Sequence, residues 1–190
     1  KHLDIAIGLD PLNQETLFFK AYFDYMTRNY EAAIDQLAEC IELNPANIPS
    51  HAVMTLSLLK TGEYDKVIHY FDNFDSEYAL GEKTGSIALA YIYKKDQVNT
   101  ETCMNMLMEQ SKTPYGFAAD SYLFLSYVAL GEIDKAFEWV ENAIEHKSSL
   151  LMLRFPDPMV DGLRKDSRYQ VLHDKIFNAR LTSKAKRVKK

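Results

Sequence analysis

The sequence predicts an all-α protein in which antiparallel helix pairs stack side by side into a curved solenoid, and three observations predict it. Apolar residues recur at spacings of three and four, most clearly between Asn29 and Pro45. The features of that stretch return at a fixed interval: Tyr30 and Tyr64 lie 34 residues apart, and each opens a helix after a tight turn, Arg28-Asn29 and Gly62-Glu63. Only 7 glycines and 6 prolines are present in 190 residues, too few for a fold made of many tight turns.

In the helix from Tyr30 to Leu43, the residues Tyr30, Ala33, Ile34, Leu37, Cys40, Ile41 and Leu43 form one wide apolar stripe. Glu31, Asp35, Glu39 and Glu42 occupy the opposite face. Ala33 and Cys40 are small enough for a neighbouring helix to come close, and Pro45 stops the helix because it has no N–H and its ring clashes with the preceding turn. Taken in chain order, Leu3 to Pro11 reads as the end of an earlier unit, with Ala6 and Pro11 related as Cys40 is to Pro45. Gln14–Thr27 with Tyr30–Leu43 makes the first complete pair, and Ile48–Lys60 with Tyr64–Asn73 the second. A longer link from Phe74 to Gly81 leads to a third pair, Thr84–Lys95 and Asn99–Ser111. Tyr115–Leu130 and Ile133–Lys147 make the fourth. Ile133 follows Tyr64 by 69 residues, two periods and one residue, again just after a Gly-Glu pair. The extra residue is expected near Gln97 to Thr100, with Cys103 and Leu107 standing where Ala33 and Leu37 stand. Such pairs cannot bury their own apolar faces, so neighbours must stack, and the open end needs a cap. Residues 148–180 suit that role: Phe155-Pro156-Asp157-Pro158 cannot be regular helix. The following helix, Arg168 to Ala179, places Tyr169, Leu172, Ile176 and Phe177 on one face behind an N-cap at Asp166 or Ser167.

With 47% hydrophobic and 26% charged residues, the chain is neither disordered nor collagen-like and can bury a sizeable core. Cys40 and Cys103 fall inside helices where the repeat wants small apolar residues, so packing is the expected role, no disulfide framework is expected, and a reducing, cytoplasmic setting is compatible. No run of about 18 apolar residues occurs, and no membrane partner is expected. The chain opens without a methionine, from which we expect it to be part of a longer polypeptide. Chemistry is not announced anywhere. The histidines His2, His51, His69, His146 and His173 are scattered, and none pairs with another at i+4. The glycines form no phosphate loop. The expectation is a protein without catalytic residues, metal or cofactor.

The 34-residue helix–turn–helix period resembles the tetratricopeptide repeat, which implies a right-handed solenoid with a concave surface lined by the first helix of each pair. A second likeness is carried by Asp157-Pro158-Met159-Val160-Asp161-Gly162-Leu163-Arg164-Lys165-Asp166-Ser167-Arg168-Tyr169. This run resembles the closing motif of bacterial tetratricopeptide arrays attached to transcription regulators, adenylate cyclases and protein kinases. Ser167 stands for a common proline and Tyr169 for a phenylalanine. With Asp120-Ser121-Tyr122-Leu123-Phe124 and Lys135-Ala136-Phe137-Glu138-Trp139, the chain looks like the sensor or regulatory portion of a bacterial multidomain regulator, closest to the group followed by an AraC-type helix-turn-helix domain. DNA would then be contacted only by a domain outside these residues.

The resemblance places Phe18, Tyr22, Tyr25, Ala52, Leu56, Lys60, Ile87, Tyr91, Ser121 and Leu125 on the concave surface. The set is apolar and aromatic. Phe18 and Tyr22 stand where a chaperone-tail adaptor of this family would carry Lys and Asn to grip a terminal carboxylate, so that specificity is rejected. An amphipathic helix or extended apolar peptide suits the groove, from a partner protein or another domain of the same chain. The competing reading buries several of these side chains between helices. Charge is asymmetric: Arg180, Lys184, Lys186, Arg187, Lys189 and Lys190 leave 16 of the 22 basic residues to face all 27 acidic ones in the rest of the chain. An acidic body repels nucleic acid. Residues 181–190 read as a basic tail: a solvated linker, an approach to DNA phosphates beside a downstream domain, or a chance likeness to an import signal at Lys186-Arg187-Val188-Lys189. Three functions are weighed: a regulatory or docking module of a transcription regulator, a free-standing adaptor or assembly scaffold, and direct enzyme activity, which would require a pocket with converging titratable groups that the sequence does not suggest.

Overall fold

The computed structural model describes residues 2–72, 79–113, 116–145 and 154–187. Among them the protein is all-helical. Its helices are α1 (His2–Leu9), α2 (Gln14–Met26), α3 (Tyr30–Leu43), α4 (Ile48–Lys60), α5 (Tyr64–His69), α6 (Leu80–Lys94), α7 (Gln97–Ser111), α8 (Phe117–Leu130), α9 (Ile133–Glu145) and α10 (Ser167–Arg187), with a 3-10 helix, Pro158–Lys165, before α10. Each helix from α1 to α9 packs against the next, and α2, α4, α6 and α8 also pack against one another in succession.

Local chemistry sets the boundaries. Asn13, Asn47 and Asp96 cap α2, α4 and α7, each side chain accepting a hydrogen bond from a backbone N–H in the first turn. The turns inside the four pairs are alike. Arg28, Gly62, Lys95 and Gly131 all adopt left-handed backbone, with φ of 68°, 83°, 60° and 75°. The residue after each donates back five positions, Asn29 to Asp24, Glu63 to Leu58, Asp96 to Tyr91 and Glu132 to Tyr127. This helix-ending motif satisfies carbonyls that the helix leaves open and favours glycine, which two of the four turns use.

These turns fix the register, and they differ from the sequence expectation in the third unit. Ala33, Val67, Thr100 and Ala136 each lie five residues after the left-handed position and are all buried. Met104, not Leu107, therefore corresponds to Leu37, and Leu107 corresponds to Cys40. The extra length falls between Leu107 and Gly116, not near Gln97. Cys103 is buried one turn after Thr100, so its apolar spacing imitated the equivalent position. Helix α5 is shorter than expected, ending at His69. Tyr70 and Asp72 donate to carbonyls only three residues back, which tightens the chain out of the α form. Residue 73, at the expected end of α5, and residues 74–78 of the link expected after it lie outside the described set, as do 146 and 147 at the expected end of α9.

Helix α6 starts a turn earlier than Thr84 and runs very close to α8. A Cβ placed on Gly85 would lie 2.0 Å from Cγ of Tyr122, and one on Gly81 would lie 2.7 Å from Cβ of Ala118. Glycine lets the two helices touch through backbone. The buried set that results, including Leu37, Leu56, Leu89, Leu107, Tyr122, Leu123 and Phe124, is continuous from α2 to α9 and joins Phe155, Val160 and Leu163.

Candidate functional site: a groove filled by the chain itself

The first helices of the pairs face the segment Arg154–Lys165, which returns across them from the far end of the molecule. The phenol of Tyr25 donates to Oδ1 of Asp157 at 2.5 Å, across 132 residues of sequence. Lys60 Nζ donates to the carbonyl of Pro158 at 3.3 Å, and the Arg28 guanidinium holds Asp161 through contacts of 2.7 and 2.9 Å. Phe155 stacks on Phe124 with ring centroids 6.4 Å apart and on Tyr169 at 4.5 Å. Val160 and Leu163 are fully buried.

A polar core lies beneath. Arg154 is 9% exposed; its Nη1 lies 3.5 Å from Oδ2 of Asp157 and its guanidinium rests 5.2 Å from the Tyr122 ring centroid. The Tyr122 hydroxyl receives Ser86 Oγ at 3.2 Å, and Ser86 in turn lies 2.9 Å from Thr55 Oγ1. Asp157 also accepts from the backbone N–H of Met159 at 2.8 Å, which starts the 3-10 helix. Burial raises the Asp157 carboxyl above the ordinary carboxylate range, against the pull of Arg154, Tyr25 and Met159. Burial, then the Asp157 charge, pushes the Tyr25 phenol well up, so it stays a hydrogen-bond donor. Glu82 at the start of α6 is buried and raised by burial, partly offset by a backbone hydrogen bond and by Arg154. Its Oε2 and Nε of Arg154 have no hydrogen-bond partner.

The ten groove residues expected from sequence separate into two groups. Tyr25, Ala52, Leu56, Ser121 and Leu125 are buried, so they present no open surface in this arrangement. Phe18, Tyr22, Lys60, Ile87 and Tyr91 are half-buried. Phe18, Tyr22 and Tyr25 form an aromatic ladder along α2, with successive centroids 6.0 and 6.4 Å apart. Tyr25 and Lys60 touch the returning segment directly, and Tyr22 feels the charges of Asp157 and Arg154. Arg28, Tyr122, Arg154, Asp157 and Asp161 escaped sequence reasoning as site residues. Their one local signal is the acidic residue fixed between Pro156 and Pro158, which shows a rigid presentation but not what receives it.

Helix α10 covers α9 through the face expected of a cap: Tyr169 and Leu172 are buried, and Ile176 and Phe177 half-buried. Arg168 lies 4.3 Å from the Phe137 ring centroid and pairs with Asp134 at 2.7 Å. Continuing past Ala179, the helix reaches Arg187 and includes Lys184, Lys186 and Arg187 of the expected basic tail or linker. Lys189 and Lys190 lie outside the described residues. A shallow cleft between α9 and α10 is lined by Phe137, Glu141, Arg168 and Val171, and another by Asp120, Trp139 and Asn142. Among the described residues no group of three His, Cys, Asp or Glu side chains is placed to hold a metal, and no helix is long and apolar enough to cross a membrane. No protein-family model, curated protein or solved structure matches this chain.

Proposed function

We propose that this protein is a non-catalytic interaction and regulatory module, a right-handed tetratricopeptide-type solenoid of four helix pairs that receives a peptide or helix on the surface formed by α2, α4, α6 and α8. The observation that carries this reading is the seat of Arg154–Lys165, because side chains from α2, α4 and α8 engage it as they would engage a ligand. The four matching left-handed turns support the repeat. In the context suggested by its closing motif, the module serves as the sensor or docking region of a bacterial, cytoplasmic transcription regulator, with α10 leading toward the output domain. DNA is then met by that domain and not by this acidic body.

The test is partner recovery from the native source with the intact protein and with a Phe18→Ala, Tyr22→Ala, Tyr91→Ala variant. These side chains are half-buried rather than core, so the variant is expected to keep its helical circular dichroism and to lose the partner recovered with the wild type. A folded variant that retains the partner would move binding off this surface. The same preparation distinguishes a regulator from a free-standing adaptor, since its mass shows whether the polypeptide carries a further domain.

A further inference from the structure

We propose that Arg154–Lys165 is a built-in ligand and that the groove takes, from a partner protein, a peptide of the same chemistry: a cation, an acidic residue three positions later followed by proline and two apolar residues, then a second acid. The inference rests on the interaction-module reading and adds to it the class of peptide and the competition that governs its binding.

Three features distinguish a seated ligand from a mere end cap. A cap covers the last unit, whereas this segment reaches Tyr25, Arg28 and Lys60 in the first two pairs, across 98 to 133 residues. Its recognition is polar and ordered along the chain. Arg154 meets Tyr122 and the field of Glu82, Asp157 meets Tyr25, the Pro158 carbonyl meets Lys60, and Asp161 meets Arg28. An apolar cap needs none of these. The fit is also incomplete: with the resident segment seated, its Arg154 Nε and the groove's Glu82 Oε2 are both buried without hydrogen-bond partners, so a peptide whose own cation reaches Glu82 has an advantage over the resident segment. The rim pair Arg28–Asp161 is half-exposed, at 50% and 38% of the side chains, which gives a competitor a point of entry.

The experiment uses a fluorescent peptide of residues 154–165, RFPDPMVDGLRK, titrated onto the full chain and followed by anisotropy. In the wild type the resident segment competes at an effective concentration that tethering sets at roughly millimolar, so binding is weak. Asp157→Ala removes the segment's own contact with Tyr25 while leaving the groove intact. Apparent affinity for the native peptide should rise at least about tenfold, and a peptide carrying Asp157→Asn should not share the gain. If circular dichroism shows that Asp157→Ala does not fold, Asp161→Ala at the rim is used in its place, with a smaller gain in the same direction. A folded variant that binds the peptide no better than wild type overturns the proposal. So does a variant that instead forms dimers by exchanging the segment, because the occupant is then a second copy. Loss of partner recovery in the Phe18, Tyr22, Tyr91 variant alongside a failed peptide titration would sink this inference alone and leave the interaction-module reading standing.

Discussion

Asp161 sits between two guanidinium groups, Arg28 in the turn after α2 and Arg164 of its own segment, at 2.7 Å from each. Partial burial works against ionisation, but the hydrogen bonds and charges of Arg164 and Arg28 prevail and hold the carboxyl below its usual range. In the unfolded chain the carboxyl returns to the ordinary value, so the unfolded state takes up a proton first as pH falls. The stabilisation is therefore present above the unfolded value, about 4, and is lost as pH falls through the lower folded value. Asp157 has the opposite sign: its folded value is raised, and acidification through that value favours the folded form at this position. We expect the stability difference between wild type and Asp161→Asn, measured by urea unfolding, to be greatest above about pH 5 and to shrink toward pH 3. A difference independent of pH over that interval would show that Asp161 does not bridge the two arginines.

At the scale of elements, the tightest joint is α6 against α8. Gly85→Ala would force its new methyl into the Tyr122 ring, and Tyr122, fully buried and bonded to Ser86, has nowhere to move. A loss of about 2 kcal/mol or more is expected in denaturant melts. Gly8→Ala in α1 meets nothing within 4 Å and should gain up to about 1 kcal/mol from helix propensity. Equal effects from the two would contradict the close approach. Much at this scale is legible beforehand, since α3 follows directly from apolar periodicity and the stop at Pro45, and α4 keeps the bounds Ile48–Lys60 expected from the repeat. The third unit is not. Lys95 gives no glycine signal for its turn, and Thr100, Cys103, Met104 and Leu107 supply two overlapping apolar registers, so spacing alone chose the wrong one. Nor does sequence periodicity reveal Gly81 and Gly85 as a contact surface, because it reports which face is apolar and not how near the partner comes.

For the whole molecule, the organising feature is the return of the chain across its own first helices. The sequence pattern reads the segment as a cap on the last unit and the aromatic surface as a groove, and holds nothing that joins them. The pairing is set by complementarity between Asp157, Asp161 and Pro158 on one side and Tyr25, Arg28 and Lys60 on the other, residues too distant in sequence for local pattern to relate. Joining them puts a buried cation, Arg154, beside a buried carboxylate, an arrangement that costs desolvation and persists only while both members are present. A ligand that dislodges the segment would move the chain leading into α10. A double-mutant cycle between Tyr25→Phe and Asp157→Ala, read by equilibrium unfolding of the full chain, tests this closure most directly. A coupling energy of about 1–2 kcal/mol is predicted, because one buried hydrogen bond joins the two residues. Additive effects, with no coupling, would mean that the segment does not occupy the groove.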